Sequence, residues 1–240
     1  LRIEAGQFRT LFGIEGLGAG DFYSRSFSFQ FLQPILGKGA RASVTLGEGS
    51  SLTGIVQNGL SRVDDATKDL SLGISYARPV GEDANLRVNL SSGREATPAG
   101  VRSVAVANAV YKRTFGDDTT FALDGTVRVG RDLADDNVNT TGIAAYLTRP
   151  LGNGGAFAIR GEYVAAGSAT TGLLPTGLTP ALKPNLTSIT FAYHLPGATD
   201  NSRTILEYRY DRSNDFLFEK GVGAAKKDQG TLTIGQIFRF

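Results

Sequence analysis

The chain has 240 residues, with 25 Lys and Arg against 23 Asp and Glu, a formal net charge of +2. It contains no Cys, Met or Trp and a single His, which excludes a disulfide scaffold, a thiol nucleophile and any site needing two histidines. At 41% hydrophobic and 20% charged it is too apolar for a disordered tail, no apolar run reaches the length of a membrane-spanning helix, and the near-neutral balance gives no reason to expect nucleic acid.

Leu1 is not a natural translation start, so either a leader has been removed or the sequence begins inside a longer chain. From there the dominant signal is alternation with period two, and helical spacing is scarce. In chain order it predicts strands near 1–12, 39–47, 52–60, 68–78, 84–94, 102–114, 119–130, 140–150, 155–166, 184–196, 202–214 and 229–240. Tight turns are expected at Pro79 to Asp83, Gly116 to Asp118, Gly152 to Gly154 and Pro196 to Asp200, and longer loops near 131–139, 167–183 and 215–228, with a very long one at 13–38. The expected fold class is all-β: a transmembrane, antiparallel, up-and-down barrel of about twelve strands, forming one domain over 1–240. Fourteen strands or more remain open, because Ser24 to Phe31 can also be read as an extra hairpin with residues after Pro34.

The alternation separates two environments. Between Thr187 and Leu195, for example, Ile189, Phe191, Tyr193 and Leu195 share one face and Ser188, Thr190, Ala192 and His194 the other. A barrel in lipid puts the apolar parity outward, because an Arg at the bilayer midplane costs about 2–4 kcal/mol. The expected pore lining is then Arg41, Arg87, Asn108, Asp124, Arg128, Arg160, Glu162, Arg203, Glu207 and Arg209. On parity alone the lumen holds eight cations and six acids, which predicts weak anion preference or almost none. A soluble barrel or sandwich alternates in the same way with the faces exchanged. The membrane reading is favoured by the alternation of long and short connections, by aromatic residues toward strand ends (Tyr76, Tyr111, Tyr208, Tyr210), and by a tail ending in Phe238 and Phe240.

Specific residues carry a family resemblance. Gly6-Gln7-Phe8-Arg9-Thr10 through Gly13-Ile14-Glu15, followed by Phe22-Tyr23-Ser24-Arg25-Ser26, resembles a "GKF-x-T-x-x-G-Y-E … FYSRS" block of the OmpL-like β-barrel porins of Gram-negative outer membranes. Glu207 to Asp211, Phe216 to Phe218 and Asp228 to Phe240 are similar to that family's last hairpin, and Val56-Gln57-Asn58-Gly59 to one of its strand ends. Leu60 and Arg212 stand where that pattern has Trp, and the middle of the chain matches weakly. The family is usually longer, so strands before Leu1 are open to question. The resemblance implies an outer-membrane porin passing small hydrophilic solutes or ions by diffusion, without cofactor or enzymatic activity. A structural or plugged barrel that binds a partner in an outer-membrane complex is the alternative.

Segment 13–38 is expected either to fold into the barrel mouth as a constriction presenting Phe22, Tyr23 and Arg25, or to form the extra hairpin. His194 lies near a short turn and no nucleophile-elbow serine accompanies it, so an ordinary lumen or interface residue is expected rather than a catalytic one. Asp132, Asp135, Asp136 and Asn137 lack the spacing of an EF-hand and read as a solvated turn. Lys220, Lys226 and Lys227 form a small basic loop that reads first as a solvated tip and second as a contact for lipopolysaccharide phosphates. The expected partners are outer-membrane lipid and lipopolysaccharide and small solutes, with room for a homo-oligomer or complex partner.

Overall fold

The computed structural model describes all residues except 16–19, 61–68, 98–99, 132–136, 153, 167–183, 197–201, 222–223 and 239–240. Twelve antiparallel strands form one up-and-down sheet: β1 (Arg2–Arg9), β2 (Leu36–Thr45), β3 (Ser51–Asn58), β4 (Leu70–Val80), β5 (Ala84–Thr97), β6 (Gly100–Thr114), β7 (Thr120–Arg131), β8 (Asn137–Pro150), β9 (Ala156–Ala166), β10 (Asn185–Pro196), β11 (Ser202–Ser213) and β14 (Asp228–Phe238). A two-stranded ribbon, β12 (Phe218–Gly221) and β13 (Ala224–Lys226), lies inside the connection from β11 to β14. Each strand pairs with its sequence neighbour, and β1 and β14 are the two edges of the sheet. Strands β4 to β11 run 11 to 15 residues, enough to cross an apolar band of about 25 Å when tilted. No helix among the described residues is long and apolar enough to cross a membrane.

The connections divide by end. Turns at 81–83, 115–119 and 151–155 close one end of the sheet, and the connections 10–35 and 214–227 lie at the other. One pair departs from that pattern. β5 and β6 run on until Thr97 faces Gly100, so the long-loop end also holds a tight hairpin.

Burial by parity separates the membrane reading from the soluble one. The face carrying Leu72, Leu90, Val127, Ile143, Ile189 and Leu232 is exposed, whereas Asn89, Asp124, Arg160, Glu162, Glu207 and Asp211 are buried. A water-soluble β-protein has the opposite arrangement. The ladder registers bring the buried polar residues onto one face: Asn89 faces Asn108, Asn108 faces Thr126, Arg160 faces Thr190, and Thr190 faces Arg209. The wall is built from small residues where space is needed. Ala122, Ala144, Ala158 and Ala192, all almost fully buried, leave room for the Phe22 ring, which packs edge-on against Tyr146 at 6.2 Å between centroids.

Candidate functional site

The described part of residues 10–35 fills that space. It forms no strand. It leaves β1, passes along the inner wall to the short-turn end, and returns to β2 through one short π-helical turn at Ser28–Leu32. The extra-hairpin reading of this segment is therefore corrected: the amides of Tyr23, Ser24 and Phe27 donate to wall carboxylates and that of Ser26 to Glu15 of the segment, not to a neighbouring strand. On the way down, the Gly13 amide donates to Asn108 Oδ1 at 3.1 Å and the Ile14 amide to Asp124 Oδ2 at 3.0 Å. At the bottom, the Gly20 carbonyl accepts from Arg203, and the Asp21 carbonyl accepts from His194 Nε2 at 2.7 Å. On the way up, the amides of Tyr23 and Ser24 both donate to the Glu207 carboxylate, at 2.7 and 3.0 Å, and the Phe27 amide donates to Glu162 at 2.6 Å. Where these amides are buried against the wall they need acceptors, and the wall carboxylates supply them.

The centre of the arrangement is an ion network. Arg160, with no exposed surface, lies 3.0 Å from Glu15 of the segment and 3.6 Å from Glu162 of its own strand. It also donates to the Ser24 carbonyl at 2.9 Å and to Thr190 Oγ1 at 3.1 Å, and stacks over Phe22 at 4.9 Å. Arg209 repeats the motif two strands further along, on β11: it pairs with Asp211 at 2.7 Å and Glu162 at 3.4 Å, donates to the Arg25 carbonyl, and lies over Phe27 at 4.4 Å. Cation–π contacts of this kind gain strength when water is excluded. Asp124 is held by Asn108 at 2.6 Å and by Gln33 Nε2 of the segment at 3.0 Å, and Arg128 donates to the Leu32 carbonyl at 3.4 Å. Above the π-helical turn, Phe27 and Leu32 pack with Val164, Leu186 and Phe218, so the β11–β14 connection rests on the same plug.

The opposite side of the lumen is looser. Arg41 pairs with Glu4 at 2.7 Å and lies 4.9 Å over Phe8. Arg87 donates to the Leu11 carbonyl at 3.3 Å. Between the segment and β5–β6 is a cavity of about 370 Å³ lined by Gly13, Ile14, Asn85, Arg87, Val110 and Lys112. A second, of about 190 Å³, adjoins it at Ile14 and Lys112 and reaches Glu15, Asp21 and Tyr146.

All ten wall residues singled out in the sequence thus lie on the same face of the sheet, but in two settings. Asn108, Asp124, Arg128, Arg160, Glu162, Arg203, Glu207 and Arg209 bind the inward segment or one another; Arg87 touches the segment at the Leu11 carbonyl and also lines the 370 Å³ cavity, and Arg41 pairs with Glu4 of β1. Of the segment residues, Phe22 is buried beneath Arg160, Tyr23 is half exposed, and Arg25 lies 5.4 Å over Phe29. Sequence reasoning missed Glu15, Asp21 and Gln33 as anchors and Lys112 as a lumen cation. Their signal was faint: Glu15 is a lone carboxylate in a glycine-rich stretch, and the inward alanines are the only hint that something occupies the lumen. The acidic cluster Asp132, Asp135 and Asp136 lies outside the described residues.

Comparison with known proteins agrees with this geometry. A family model described as "Putative beta-barrel porin-2, OmpL-like" matches residues 1–240. The chain belongs to this OmpL-like β-barrel porin family. Among solved structures it is similar to the outer-membrane expressed OmpT of Vibrio cholerae, with a TM-score of 0.66 at 12% identity over 98% of this chain and 76% of that one; the likeness is one of fold. The NanC porin aligns with a TM-score of 0.41 at 15% identity, over 84% of this chain and 91% of that one. No curated protein matches the sequence. The family model and the fold likeness to OmpT place the OmpL-like chain among β-barrels of the outer-membrane type.

Proposed function

We propose that this OmpL-like chain is a passive diffusion porin of the bacterial outer membrane, in which small hydrophilic solutes or ions pass between the inward segment and the wall of β1 to β6. The observation that supports the reading is the asymmetry of the lumen: the segment makes its ion-paired and carboxylate contacts with β7–β11, whereas at β5 and β6 it is held by the Gly13–Asn108 and Leu11–Arg87 hydrogen bonds and leaves a cavity lined by Asn85, Arg87 and Lys112. Arg41 and Arg87 line the open side, and Phe22, Tyr23 and Arg25 set how far the segment reaches across. No energy source, cofactor or catalytic step enters this function, and His194 acts as an anchor for the Asp21 carbonyl. Lipid meets the apolar outer face, and lipopolysaccharide meets the long-loop end.

A second reading is a plugged barrel serving as a scaffold or partner-binding element. The number of wall carboxylates committed to backbone amides of the segment favours it. Planar-bilayer recording separates the two. Discrete, reproducible conductance steps from the folded chain are expected. A folded, inserted and electrically silent barrel would show that the segment seals the lumen.

A further inference from the structure

Most inward charges are committed. Arg160 and Arg209 face Glu15, Glu162 and Asp211 within 3.6 Å, and Asp124 and Glu207 accept from the inward segment. Two cations on the open side are different. Arg87 on β5 and Lys112 on β6 are diagonal neighbours, because Arg87 faces Val110 and Asn85 faces Lys112 in the ladder. Diagonal neighbours in such a ladder lie roughly 7–8 Å apart at their backbones, so long side chains converge. Both line the 370 Å³ cavity, whose other walls are Gly13, Ile14, Asn85 and Val110, with no carboxylate among them. Arg87 spends one donor on the Leu11 carbonyl, leaving most of the five on a guanidinium. Lys112 is exposed, and its side chain makes no hydrogen bond or ion pair among the described residues. The nearest acids line the adjoining cavity. There Glu15 is taken by Arg160, Tyr146 Oη and the Ser26 amide, and Asp21 accepts from Thr148 at 2.8 Å.

Resting on the porin reading, we infer that Arg87, Lys112 and Asn85 form a binding station for small organic oxyanions, solutes with a carboxylate or phosphate group on a short carbon skeleton. The guanidinium presents a planar fork suited to two oxygens of such a group, which a monatomic anion does not use. The ammonium adds an adjustable point charge, and the Asn85 amide supplies a further polar contact. Ile14 and Val110 give the carbon skeleton an apolar wall. The cavity falls at the small end of the roughly 300–1,000 Å³ typical of small-molecule sites, large for chloride and small for an oligosaccharide.

The test uses the full chain folded in detergent, with heat-modifiable gel migration as the folding control. Equilibrium dialysis with labelled succinate and labelled inorganic phosphate measures binding, and reversal potentials in a KCl gradient measure ion preference. Lys112→Gln and Arg87→Gln are compared with Arg78→Gln, which removes a charge from the outer face near the same end. Binding of succinate, phosphate or both is expected, weakened about five-fold or more by Lys112→Gln, the size of one contact charge in a watery site. The chloride-to-potassium permeability ratio should fall by a similar factor, with Arg78→Gln unchanged. The stronger probe identifies the preferred head group. No binding by the folded chain, equal loss in Arg78→Gln, or displacement by chloride as readily as by oxyanion would overturn the site. Binding without any conductance would leave the station standing and defeat the porin reading. Conductance without binding would do the reverse.

Discussion

The two sides of the lumen use the same residue types for different work. Along β7 to β11, Arg160, Glu162, Glu207 and Arg209 are buried and bonded to the segment that crosses the barrel. Along β1 to β6, Arg41, Arg87 and Lys112 border water, and the contacts they make are fewer. A charge facing the inside of a barrel is therefore not by itself a pore-lining charge. Whether it meets a solute depends on what lies over it, and here a single connection covers one side and leaves the other open. The covered side holds more electrostatic energy because water is excluded there; the open side is weaker but available.

Breaking the covered side should have the largest effect. Arg160→Ala leaves Glu15 buried without its cation and Glu162 with Arg209 alone, and breaking a buried pair in this way costs about 3–5 kcal/mol. The expected result is a lower thermal midpoint for loss of heat-modifiable migration, and a larger, noisier single-channel conductance as the segment comes away from the wall. Unchanged conductance with lowered stability would mean that the network holds the sheet rather than the segment. Glu207→Gln is a milder cut at the same joint. It removes the charge from two amide-to-carboxylate bonds at Tyr23 and Ser24, and hydrogen bonds to charged groups contribute about 1.5–3 kcal/mol each. Because the amide oxygen still accepts, roughly half of one such bond is the expected loss. Cleavage by trypsin after Arg25 in the folded protein should accelerate, while the sheet stays intact.

The sheet itself was legible because its signal is local. Along β10 every second residue changes environment, and Ile189, Phe191 and Leu195 announce the outer face without reference to any other strand. The predicted strands differ from the observed ones by a few residues at their ends, as where 1–12 shortens to Arg2–Arg9. The position of the segment was not legible, because its partners are remote: Tyr23 and Glu207 stand 184 residues apart. Nothing within 13–38 tells whether its amides bond to a neighbouring strand or to a distant carboxylate, so both readings stayed open. The division of the inward arginines into covered and open follows from that same placement. The ribbon β12–β13 escaped for a different reason: strands of four and three residues are too short for alternation to register.

The smallest effect is expected on the open side, where Arg41→Gln is the counterpart of Arg160→Ala. Arg41 also pairs with a glutamate, at 2.7 Å from Glu4, and also lies over a phenylalanine ring. On contact geometry alone the two sites look alike. Their surroundings differ: the Arg41 side chain keeps 17% and Glu4 29% of its surface in water, against none for Arg160. Water left around Glu4 can solvate it when its partner is removed, so the loss should be the small one of an exposed pair, well below that at Arg160. Thermal unfolding of the two variants side by side measures the contrast. Comparable losses at both positions would mean that Arg41 is as sealed from water as Arg160, and the open passage would then have to lie elsewhere.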